Sequence, residues 1–70
     1  MKVSYSDHAE TRKKQRQISE SEILGCLNNY DTKHTDKKGN PVYRKVLGGR
    51  GVKVVVSKDD NHYIITVADY

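Results

Sequence analysis

Apolar and polar positions change rhythm twice along this chain. From Asp7 to Arg16 the sequence reads D-H-A-E-T-R-K-K-Q-R, polar around its circumference apart from Ala9. Ser6 can cap a helix there, and Asp7 places negative charge in its first turn, so a helix is expected to run to about Gln15 or Arg16. A second helix has a stronger signature. Ser19-Glu20-Ser21-Glu22 is a capping box, with Ile18 and Ile23 at the two positions of a hydrophobic staple. Ile23, Leu24, Cys26, Leu27 and Tyr30 fall within an arc of roughly 160°, the width of a core-facing stripe. Asn28-Asn29 suit its end.

After Tyr30 helical spacing gives way to short runs with strand character. Asp31 to Asp36 reads as a weak edge strand leading into a turn at Lys38-Gly39-Asn40-Pro41. Better strands are expected at Val42–Leu47, Val52–Ser57 and Tyr63–Ala68, separated by Gly48-Gly49-Arg50-Gly51 and Lys58-Asp59-Asp60-Asn61. Such short connections imply an antiparallel meander. The expected fold is α+β: one compact domain, residues 1–70, with two N-terminal helices on one face of a three- to four-stranded antiparallel sheet. The other face is left at least partly open. Strict alternation puts Tyr63, Ile65 and Val67 on one side of the last strand, and Ile64, Thr66 and Ala68 on the other. Val52, Val54 and Val56 form the better core set of their strand, while Arg44 and Lys45 point opposite ways.

Composition narrows the function classes. Seventy residues with 34% apolar content and no Trp or Phe support only a small core. Thirteen Lys and Arg against nine Asp and Glu leave a formal charge of +4, which favours anionic partners such as RNA. The single cysteine, Cys26, excludes an internal disulfide and reads as a buried hydrophobe; a cytoplasmic setting is the simplest expectation. No apolar stretch has the length of a signal peptide or a membrane span, so no membrane partner is expected. No His, Cys, Asp and Glu grouping has metal-ligand spacing, and the Gly48–Gly51 run lacks the ending of a nucleotide loop. No metal, nucleotide or other cofactor is expected.

One constellation carries chemistry. His8, Arg12 and Arg16 are spaced four apart, so they form a continuous row on one side of the first helix, a titratable base beside two permanent cations. Such a row suits a phosphate. Tyr5 and Ala9 project in nearly the same direction, which places the guanidinium groups at the core margin. A bland alternative has the arginines laying their stems over apolar neighbours with their charges in water. Lys14 adds to any attraction for RNA.

The run His8-Ala9-x-x-Arg12-x-x-x-Arg16-x-Ile18-Ser19, the apolar helix after it, the Lys-Lys-Gly-Asn turn and the closing Ile64-Ile65-Thr66-Val67 resemble domain-of-unknown-function family 4258. Members of that family often have Gly where Gln17 stands, and Pro after the second helix, where this chain reads Asn28-Asn29-Tyr30-Asp31. By fold the family is grouped with toxin ribonucleases of the RelE and ParE type, and more broadly with barnase-like and colicin-like ribonucleases. The resemblance implies a metal-independent endoribonuclease, in which His8 would act as base or acid and Arg12 or Arg16 would hold the phosphate. Arg44 and Thr66 from the sheet would complete the cluster. Tyr43, Tyr63 or Tyr70 would stack on a base or donate a proton. An acidic, antitoxin-like protein is the partner implied. Two other readings stay open: a basic module that binds RNA without cutting it, and a protein-interaction or oligomerisation domain.

Overall fold

A computed structural model describes residues 2–70. Elements follow in the order β1 (Ser4–Tyr5), α1 (Asp7–Gln15), α2 (Glu20–Asn28), β2 (Thr32–Thr35), β3 (Pro41–Leu47), β4 (Arg50–Val56) and β5 (Tyr63–Asp69). The α+β class and both helices match expectation. The sheet does not match in detail: it has five strands in the order β1-β5-β4-β3-β2, and β1 pairs with β5 in parallel. A two-residue strand leaves no periodicity in a sequence, so Tyr5 read as an extension of the first helix. It lies instead in β1, packs against the core from the sheet edge, and donates its hydroxyl to Glu20 Oε1 at 3.1 Å.

Helix α1 is fixed at both ends by local chemistry. Ser6 Oγ accepts from the Ala9 amide at 3.0 Å and donates to the Ile65 carbonyl at 2.6 Å, which docks the helix start on β5. At the other end the amides of Gln17 and Ile18 donate to the carbonyls of Lys14 and Lys13, the paired bonds of a Schellman motif. That motif puts Gln17 in the left-handed region, at φ 52°. Helix α2 has both bonds of the capping box, between Ser19 and Glu22.

Both helices cover one face of the sheet. Ala9, Ile18, Ile23 and Cys26 from the helical layer meet Val52, Val54, Val56, Ile64 and Val67 from β4 and β5. Burying each Val or Ile completely contributes about 1.5–3 kcal/mol. Tyr30 closes the α2 stripe only loosely, 44% exposed, with its ring edge-on to Tyr43 at 5.2 Å.

Ile64 and Val67 share the core face, which strict alternation forbids. Between Val55 and Val56 the β5 partner steps from Thr66 to Ile64, so Ile65 is the extra residue of a β-bulge. The bulge turns Ile64 into the core and leaves Thr66 on the open face. Among the described residues no helix is long and apolar enough to cross a membrane.

Candidate nucleic-acid interface

Strand register orders the open face into rows. His34 on β2 pairs with Val42, Val42 with Val55, and Val55 with Thr66, so an imidazole and a hydroxyl end one row across four strands. The adjacent row runs Thr32, Arg44, Lys53, Ala68. Between the rows and the β2–β3 turn lies an open groove of about 490 Å³, whose walls include His34, Lys37, Lys38, Arg44, Lys53 and Thr66. Its floor is apolar, with Val42 and Val55 buried beneath the polar rim.

Arg44 and Lys53 face one another on neighbouring central strands, an arrangement that costs stability unless an anion sits between them. Neither forms an ion pair among the described residues, and the buried Arg44 Nε has no hydrogen-bond partner. The guanidinium carbon lies 5.6 Å from the centroid of the Tyr70 ring. Asp36 also lines the groove, but its carboxylate is committed to the turn. It accepts from the amides of Lys38 and Asn40 at 2.9 and 2.8 Å, and these bonds hold its carboxyl below the usual range.

Cations on the helical side are placed differently. Arg16 Nε lies 3.8 Å from Asp69 Oδ1, Lys45 lies 3.5 Å from Asp31, and Arg50 takes both oxygens of Glu22 at 2.9 and 2.8 Å. Arg50 also donates to the carbonyls of Arg16 and Gln17 at 3.3 Å each, so it fastens the α1–α2 junction to the start of β4. Each of these groups has a structural duty and a carboxylate to neutralise it.

The residues expected to act together are thus divided by the sheet. His8 and Lys14 are exposed on α1, Arg12 is half-buried, and Arg16 is tied to Asp69. Thr66 and Arg44 lie on the opposite face. Tyr43 packs against the core from the helical side, with Lys33 5.3 Å from its ring centroid, so it does not join Arg44. The structure places Thr66 and Arg44 on one groove with His34 and Lys53, and Tyr70 beside Arg44. Sequence gave two usable signals for these: alternation alone places Arg44 and Val42 on one face of β3, and Lys53 and Val55 on one face of β4. The strand register that unites the two pairs was not legible.

A small α+β domain with one helical layer and a basic, uncovered sheet face defines the class. Within it, the chain belongs to the family described as domain of unknown function DUF4258, whose model matches residues 5–69. Neither a comparison with curated proteins nor one with solved structures found a match.

Proposed function

We propose that the protein binds RNA on the open face of its sheet, with the backbone phosphates held by Arg44 and Lys53. The observation that carries this is the pairing of two cations on adjacent strands with no carboxylate partner among the described residues, one of them with a buried Nε that has no partner there either. Guanidinium and ammonium groups in that position match a phosphodiester in charge and in hydrogen-bond donors. Lys37 and Lys38 extend the positive rim toward β2, and the +4 formal charge of the chain favours encounter with a polyanion.

Fluorescence anisotropy with a labelled ten-nucleotide RNA, read across a salt series, tests this. For a single strand each neutralised phosphate adds about 0.7 to the slope of log affinity against log salt. Arg44→Ala and Lys53→Ala are expected each to weaken binding and lower the slope by about that amount. His8→Ala and Arg12→Ala are expected to leave both unchanged. Loss of binding in the helix variants, with the sheet variants unaffected, would transfer the site to α1.

Cleavage of the bound RNA is the second reading, favoured by the His34 imidazole, which lines the same groove as Arg44 and Lys53. The 2′-hydroxyl oxygen would bond to phosphorus as the bond from phosphorus to the 5′-oxygen breaks. His34 would take the 2′ proton, and the Lys53 ammonium would give one to the leaving oxygen. The products are a 2′,3′-cyclic phosphate and a 5′-hydroxyl. Incubation with labelled RNA in excess EDTA is then expected to give those ends from the native chain and from His8→Ala, and none from His34→Ala. Intact RNA in every reaction would leave a binding module alone. The kinship to RelE-type toxins implied by the helix motif belongs to this second reading, and with it an acidic, antitoxin-like partner drawn to the same cations.

A further inference from the structure

Tyr70 occupies a place that the rest of the chain has been shaped to provide. Its amide donates to the Gly51 carbonyl at 2.9 Å and its carbonyl accepts from the Gly51 amide at 3.1 Å, so the β4–β5 pairing continues to this residue. The ring then lies directly over Gly51. A Cβ at that position would stand 2.4 Å from the ring, so any side chain larger than hydrogen would evict it. Gly51 does not have the positive φ of the other sheet-turn glycines, Gly48 and Gly49, so what its missing side chain provides there is room for the ring.

With one side against Gly51 and the Arg44 guanidinium 5.6 Å from its centroid, the ring lies in the row next to the cationic one, beside Arg44. Even so, Tyr70 is 62% exposed. An aromatic ring fixed in position, open to solvent and next to a phosphate-binding cation is the arrangement on which an unpaired base stacks. A base within a duplex is stacked between its own neighbours and does not offer its face to such a ring.

We propose that Tyr70, seated on Gly51 beside Arg44, is a nucleobase subsite, and that the ligand class of the open face is therefore single-stranded RNA. This rests on the phosphate-binding role of Arg44, and the test separates the two. Two probes are used: a ten-nucleotide oligoribonucleotide without self-complementarity, and a ribose-phosphate chain of the same length lacking bases. Tyr70→Ala is expected to weaken binding of the oligoribonucleotide about fivefold to a hundredfold, and to leave the baseless chain unchanged. Tyr70→Phe is expected to retain native affinity for both. Quenching of tyrosine fluorescence by the oligoribonucleotide is expected in the native chain and reduced in Tyr70→Phe. Equal affinity of Tyr70→Ala and the native chain for the oligoribonucleotide, while Arg44→Ala weakens both probes, would overturn the base subsite alone. If Arg44→Ala leaves both probes unchanged, the phosphate site falls, and the subsite with it.

Discussion

Removing the guanidinium of Arg50 while keeping its aliphatic stem, as Arg50→Met, tests what joins the two helices to the sheet. Four contacts are lost: Nη2 shares its two hydrogens among both Glu22 oxygens at 2.9 and 2.8 Å and the Gln17 carbonyl at 3.3 Å, and Nη1 donates to the Arg16 carbonyl at 3.3 Å. The Arg50 and Glu22 side chains are 33% and 30% exposed, so solvent screens the pair in part. An ion pair of this kind, one guanidinium nitrogen shared by both carboxylate oxygens, contributes up to about 1 kcal/mol, and the two long bonds add about half of that each at most. Glu22 is not orphaned by the change, because it still accepts from the Ser19 amide at 2.9 Å. The expected loss is therefore about 1–2 kcal/mol, a sizeable share of the stability of a domain this small. It corresponds to a fall in Tm of about 4–16 °C. Urea unfolding of Arg50→Met, Glu22→Gln and the double variant isolates the coupling, expected at about 1 kcal/mol. Gln keeps the acceptor of the capping box, so Glu22→Gln removes the charge and little else. If Arg50→Met unfolds within about 0.3 kcal/mol of the native chain, the junction is held by packing alone, and the role given to Arg50 is wrong.

Other outcomes follow from the same geometry. Gln17 is held at φ 52°, where L-residues are strained, so Gln17→Gly is expected to stabilise the domain by about 0.5–1 kcal/mol, read by urea midpoint; unchanged or lower stability would remove the strain argument. Cys26 is fully buried with its thiol 3.7 Å from the Val52 carbonyl, and burial pushes its pKa from 9.0 to about 11. It is expected to react with a thiol reagent at pH 8 only as fast as the chain opens; rapid labelling of the native protein would contradict this. Because the unfolded thiol ionises first, stability is expected to decline as pH rises from about 9 toward 11 and to decline less in Cys26→Ala. On the acid side the carboxyls of Glu22, Asp31 and Asp36 are all held below their ordinary values, each chiefly by backbone amide hydrogen bonds. Their contribution is complete above those ordinary values of 4.5 and 3.8 and is lost as pH falls through the lower folded values, which an acid titration of Tm reads directly.

Local chemistry was legible wherever it is written in adjacent residues. The Ser19–Glu22 capping box, the Ile18–Ile23 staple, the Ser6 cap and the valine face of β4 could all be read from short spacings. What could not be read depends on distant partners. The parallel β1–β5 pairing rests on two residues, and the bulge at Ile65 reverses the face of everything N-terminal to it in β5. His34 lies far from His8 in the sequence and 32 positions before Thr66, yet register places His34 and Thr66 in one row. Conversely, the helix row of His8, Arg12 and Arg16 stands out by its spacing and by the family motif it belongs to. Spacing does not disclose that Asp69 lies beside Arg16, or that the sheet stands between this row and Thr66.

The most direct test of the open-face site is an amide chemical-shift titration of the native chain with a ten-nucleotide single-stranded RNA. The predicted shifts are concentrated at Thr32, His34, Arg44, Lys53, Thr66 and Tyr70, and α1 stays unmoved. Shifts confined to His8 through Arg16, with β3 and β4 silent, would contradict the account and return the site to the first helix.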